Sequence, residues 1–203
     1  MQNTAKITTT NRSKGVFNTR NLVKIGILAA LAGALQALEF KIPFFPPWLA
    51  LDFSDLPALL GSFAIDPVAG IIIEAIKNLL KFVLVGTYSG GVGELANFMV
   101  GCALCVPAAL IYRRKKTKRS ALLGMAVGTM SFGVVGALMN LFVLMPVYIT
   151  AFGGDAVSSM ATAVNPAWSN VHAIVALGVT PLNFVQAVVV ALRPVRLYKP
   201  LSH

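Results

Sequence analysis

Six apolar stretches, at residues 22–38, 56–65, 68–85, 95–112, 121–145 and 171–192, dominate the chain. A bilayer core takes about 20 apolar residues per helical crossing, and every backbone polar group inside it must be paired within the chain. Stretches of this kind therefore admit helices and little else. Of the 203 residues, 57% are hydrophobic and 12% charged, with a mean hydropathy of +0.77, against about 45–50% and 25% in soluble domains. The expectation is an all-α integral membrane protein, a bundle of six transmembrane helices. One of them, 56–65, is short, about half a span at ~1.5 Å per residue, and is expected to be tilted or continuous with an ordered external loop. Little length remains for a separate catalytic or nucleotide-binding domain. No GxxxxGK[ST] sequence occurs, so ATP is not bound in that mode.

Lys and Arg number 17 against 7 acids, a formal charge of +10. In a soluble protein that excess would point to nucleic acid; here its position decides its meaning. Five basic residues precede residue 25, six lie in 113–119 and three follow residue 192, which places 14 of the 17 on one side of a six-crossing layout. The other side has Lys41 alone, and 146–170 carries neither Lys nor Arg. By the positive-inside rule both termini are cytoplasmic. Residues 1–21 read as a basic disordered cytoplasmic arm, 22–193 as the membrane domain and 194–203 as a cytoplasmic tail. The run at 22–38 exceeds the ~7–15 residues of a signal peptide's apolar region and more spans follow, so it reads as the first crossing. Cys102 and Cys105 form a CxxC within an apolar helix with no second ligand pair. Neither they nor His172 and His203 suggest a metal site, and no cofactor is expected.

Ionisable groups inside spans are costly and point to function. In the third stretch Glu74, Lys77, Asn78 and Lys81 stand at offsets 0, 3, 4 and 7, one face of a helix. In the fourth, Glu94, Asn97 and Gly101 repeat the spacing with Phe98 beside them. The fifth adds Asn140, and the sixth Asn183 with Gln186 one turn later. Interhelical hydrogen bonding accounts for any one such amide. Four helices with converging polar sets favour a ligand cavity. Amides, each with one acceptor and two donors, match the alternating carbonyl and N–H edge of an imide, whereas carboxylates suit hydroxyls. No Arg lies within a span, which disfavours a strongly anionic ligand. The loop at 41–54 holds three prolines with Phe44, Phe45, Trp48 and Phe53. It reads as a lid stacking on a planar ligand, or as an interfacial aromatic belt.

Several segments, in order, carry a family resemblance: Leu51-Asp52-Phe53-Ser54-Asp55-Leu56-Pro57, Asp66-Pro67-Val68-Ala69-Gly70, Glu74-Ala75-Ile76-Lys77-Asn78, Glu94-Leu95-Ala96-Asn97-Phe98, Met139-Asn140 and Pro181-Leu182-Asn183. Together they resemble the riboflavin-specific substrate-binding (S) subunits of energy-coupling factor (ECF) vitamin transporters, over about 22–192. The resemblance implies capture of riboflavin from outside and docking on a transmembrane coupling subunit that carries two ATPases. It implies that Asp52 and Phe53 close over the ligand, that Glu94, Asn97 and Phe98 line its pocket, and that Asn140 and Asn183 address the ring edge. Trp48, Leu51, Glu74, Lys77, Asn78 and Gln186 complete the expected substrate-binding set. Two departures stand on the last helix, Leu182 where the family has Phe and Gln186 where it has Lys. Small residues four apart on the first helix, Ala29 with Gly33 and Ala30 with Ala34, permit close helix approach. The resemblance implies that such a patch meets the coupling subunit, and internal packing is the alternative. The rival readings are a subunit for another planar vitamin, a membrane enzyme using Glu74 and Glu94, and a stand-alone secondary transporter coupling protons through Glu74 and Lys77. No nucleophile and base pair or metal set supports the enzyme, and no evident inverted repeat the secondary transporter.

Overall fold

The computed structural model describes residues 16–41, 50–87, 89–166 and 170–197. Helix α1 spans Thr19–Ala37, α2 Asp55–Ala64, α3 Pro67–Leu84, α4 Val92–Arg114 and α5 Lys118–Met139. A π-helical turn, Asn140–Leu144, leads into α6, Met145–Phe152. After α7, Gly154–Val164, come the single turn α8, Val171–Ala173, a second π-helical segment, Ile174–Val179, and α9, Thr180–Leu197. The strands among the described residues are two residues long, β1 Phe40–Lys41 and β2 Ala50–Leu51, paired antiparallel with Phe40 opposite Leu51.

Each apolar stretch lies largely within helix. The sequence pattern left 154–164 without an element, because Gly, Ser, Thr and Ala there make no long apolar run. Val157 and Ala161, one turn apart, are nevertheless buried and seat α7. Helix also continues to Phe152, past the end of the fifth stretch at 145. Both π-helical segments stand just before a proline, Pro146 or Pro181. Proline has no N–H and its ring crowds the carbonyl four residues back. Widening the preceding turn relieves that crowding, and the N–H groups of Met145 and Thr180 donate five residues back, to Asn140 and Val175.

The ends of the helices are set by local chemistry. Asp66 caps α3 by accepting from the Val68 N–H at 3.1 Å, with Pro67 in the first turn, where a missing N–H costs nothing. Arg113 at the end of α4 reaches Asp66 at 2.8 Å, which places the α2–α3 turn at the basic end of the bundle. At the other end Gly90 and Gly91, with φ of 62° and 95°, make the left-handed turn that launches α4.

Helix α1 packs on α2 and α3, α3 on α4, α4 on α5 and α5 on α9, while α2 sits in the middle against α1, α3, α4 and α9. The α4–α5 and α5–α9 contacts rest on glycine. A Cβ at Gly124 would stand 2.5 Å from the Ala108 carbonyl oxygen, and one at Gly128 2.6 Å from that of Leu104. On the α9 side Gly133 and Gly136 make room for the Phe184 ring and the Asn183 amide. Such backbone approach gives van der Waals contact that needs no water to drive it. Outward positions carry Leu79, Val83, Leu123, Met130 and Phe142, an apolar exterior suited to lipid. Among the described residues, two helices, Val92–Arg114 and the continuous rod Lys118–Phe152, are long and apolar enough to cross a membrane.

Candidate functional site

A cavity of about 740 Å³ lies at the end of the bundle where α4 begins, within the ~300–1,000 Å³ usual for small-molecule sites. Its walls come from α1, α3, α4, the α5–α6 rod and α9. Phe132, Met139, Val100 and Val179 supply apolar surface. Asn97, Asn140, Asn183 and Gln186 supply amides, and Gln36, Glu39, Asp52, Lys81 and Glu94 the remaining large polar groups.

The amides are held ready. Asn140 donates to the Gly136 carbonyl at 2.9 Å, which leaves its oxygen uncommitted among the described residues. The same glycine, lacking a side chain, gives Asn183 its place, because a Cβ there would stand 2.5 Å from the Asn183 Nδ2. Gly136 thus positions two amides, one through its carbonyl and one through its bare Cα. Asn183 lies one turn before Gln186 on α9, and Gln186 is only 8% exposed. Among the described residues, the side-chain amides of Asn97, Asn183 and Gln186 have no hydrogen-bond partner. Buried polar groups normally are paired, so amides in a cavity wall with donors and acceptors to spare are suited to a polar ligand. Glu94 is steadied by Thr87, whose hydroxyl donates at 2.9 Å. Glu39 and Lys81 pair across the rim at 2.6 Å.

The third helix corrects the sequence reading. Glu74, Lys77 and Asn78, expected to face the ligand, lie outside the cavity wall and are almost wholly buried. The Lys77 ammonium pairs with Asp55 and donates to the Ser54 Oγ at 3.0 Å. It lies 2.8 Å from Glu74 Oε2, an ion pair without hydrogen-bond alignment. Ser54 in turn donates to Asp52 through both its N–H, at 2.8 Å, and its hydroxyl, at 2.6 Å. A lysine reaching from α3 to the start of α2 therefore ties the two most distinctive sequence segments, 51–57 and 74–78, into one knot. The Glu74 carboxylate lies where a Cβ of Gly101 would be, so that glycine belongs to the knot and not to the cavity.

Asp52 is the point where knot and cavity meet: buried, bonded to Ser54, and part of the cavity wall. Phe53 packs against the main apolar core, and Phe98 is half-buried away from the wall. Leu51 sits in β2, and Trp48 lies outside the described residues. Gln36, Glu39, Thr87, Phe132, Gly136 and Tyr148 stand outside the expected set, whereas Lys81, from the polar face of the third stretch, is placed in the wall. Gln36 was open to discovery: apart from Lys24 it is the polar side chain of the first apolar run. The small residues of α1 divide by face. Ala29 and Gly33 turn inward, and a Cβ on Gly33 would stand 2.8 Å from Leu80; Ala30 and Ala34 are exposed.

A helical bundle with an apolar exterior and a polar cavity at one end is the form of a membrane protein that captures a small solute. The comparisons give the family: the model for the ECF transporter substrate-specific component matches residues 20–198, and the chain belongs to that family. It is 34% identical over 192 residues to a riboflavin transporter RibU of Staphylococcus aureus (strain TCH60), covering 95% of both proteins. It is 29% identical over 175 residues to the riboflavin transporter FmnP of Bacillus subtilis (strain 168), covering 86% of this chain and 87% of that one. A solved structure described as the S component of a bacterial ECF transporter superposes with a TM-score of 0.69 at 33% identity, over 90% of this chain and 95% of the other.

Proposed function

We propose that this protein binds riboflavin at the outer face of the bacterial cytoplasmic membrane and delivers it inward as the substrate-specific component of an ECF transporter. A coupling subunit and two ATPase subunits supply the energy, and the chain itself performs no catalysis. Helices α1, α2, α3, α4, the α5–α6 rod and α9 form six membrane segments, with 1–21 and 194–203 in the cytoplasm and the cavity opening outward. The observation that carries the reading is the amide set: Asn97, Asn140, Asn183 and Gln186 hold unspent donors and acceptors in a cavity of flavin scale, as the imide edge of an isoalloxazine requires. The two relatives named for riboflavin, together covering most of this chain, support it.

The test is direct. Purified protein should be yellow, and titrating riboflavin into ligand-free protein should give a saturable heat signal and quench flavin fluorescence. Colourless protein without a heat signal would sink the assignment. Reconstituted with ATPase-bearing partner subunits, the chain should support ATP-dependent uptake. Gradient-driven uptake by the chain alone would favour a secondary transporter.

A further inference from the structure

Gln36 of α1 belongs to the cavity wall and has no solvent exposure. Its amide cannot be turned at will. Asn78 donates through Nδ2 to the carbonyl of Glu74 at 2.8 Å, and a carbonyl only accepts, so Asn78 Oδ1 must face Gln36. Gln36 therefore presents Nε2 to Asn78, at 3.2 Å, and its Oε1 points away. That oxygen is buried and has no partner among the described residues. An unpaired buried acceptor is costly, and a donor that completes it gains accordingly. Just past the end of α1, Glu39 pairs with Lys81 of α3, and both pairs are 42 residues apart in sequence. These two cross-links hold the end of α1 against α3 and fix where the free oxygen sits.

We infer that Gln36 is a specificity-determining ligand residue whose amide oxygen accepts from a hydroxyl of the ligand's polyol chain. The inference rests on the riboflavin reading and adds the direction in which the ligand lies. The side of the wall built on or beside α1, α3 and α4 carries three carboxylates, Glu39, Asp52 and Glu94, together with the Lys81 ammonium that pairs with Glu39 and the Asn97 amide. The side built by the α5–α6 rod and α9 offers the amides Asn140, Asn183 and Gln186. Hydroxyls suit the acceptor wall and an imide the amide wall, so the polyol lies along α1 and the ring edge along α9.

Calorimetry on detergent-purified, ligand-free protein tests this with three probes. These are riboflavin, lumiflavin, which lacks the polyol, and 3-methylriboflavin, which lacks the imide N–H. Gln36→Met should weaken riboflavin and 3-methylriboflavin by roughly tenfold to a hundredfold and leave lumiflavin at the parent's affinity. Equal losses for all three would make Gln36 a packing residue. No loss for riboflavin would leave its oxygen unused, and a loss that vanishes for 3-methylriboflavin would put the imide against it; each overturns the inference. Gln36→Glu, protonated at this buried site so that its O–H donates to Asn78 Oδ1, keeps an accepting oxygen in place and should retain the parent's preference for riboflavin over lumiflavin. Loss of that preference would also overturn the inference and covers the case in which Gln36→Met does not fold. Failure of the riboflavin reading itself shows separately, as absence of riboflavin binding by the parent.

Discussion

The molecule has two polar regions that look alike in sequence and differ in what they do with their valences. In the knot, Asp55, Glu74 and Lys77 spend their charge on one another and Ser54 accepts a hydrogen bond from Lys77, out of contact with the cavity. In the cavity wall, Asn97, Asn183 and Gln186 spend nothing among the described residues. Glu74 with Lys77 in the one, and Asn183 with Gln186 in the other, stand three apart on apolar helices. A polar face inside a membrane helix is thus a statement of need, and whether the chain or a ligand meets that need depends on what lies opposite. The Asp52–Ser54 turn joins the two regions, so the knot serves the cavity by fixing one piece of its wall.

The largest effect should come from opening the knot. Lys77→Met leaves Asp55 and Glu74 buried without their cation, and should cost about 3–5 kcal/mol of stability in unfolding of ligand-free protein. An unchanged unfolding profile would mean that the knot contributes nothing. Opening the cavity wall should act on binding alone. Asn183→Leu or Gln186→Leu should lose roughly 1–3 kcal/mol of riboflavin affinity by calorimetry while ligand-free stability stays within about 0.5 kcal/mol. A large fall in ligand-free stability would merge the two regions into one. At the rim, Glu39→Gln breaks a pair that is 20–28% exposed and should cost under about 1 kcal/mol, less at high salt. The smallest shift belongs to Gln186→Lys, which keeps a donor on the amide wall; riboflavin affinity near the parent's is expected, and a loss as large as that of Gln186→Leu would show that the oxygen of Gln186 matters more than its nitrogen.

Helix positions were legible because backbone pairing in a membrane leaves few choices. The amide wall was legible through Asn140, Asn183 and Gln186, since α9 keeps Asn183 and Gln186 on one face. The third helix was not. Glu74 and Lys77 were assigned to the ligand because periodicity reports which residues share a face but not what the face meets, and Asp55, the partner, stands on another helix. Gln36 escaped for the opposite reason: alone on its helix, it forms no pattern. Val157 and Ala161 of α7 escaped because two small buried side chains make no apolar run.

The π-helical turns at Asn140–Leu144 and Ile174–Val179 carry a consequence for chain length. A turn of this kind holds one residue more than the α-helix that would join the same flanks. Removing a residue inside either segment, with the proline that follows it replaced, should tighten it to α-helix, and at Asn140–Leu144 Gly136 before, and Tyr148 after, keep their faces. Removing one from the middle of α4 would instead swing every later side chain by about 100°. Proteins built on this plan can therefore gain or lose single residues beside Asn140 and ahead of Asn183, so gaps in their alignments belong beside the amides that line the cavity, where a length change adjusts a wall without rebuilding the bundle.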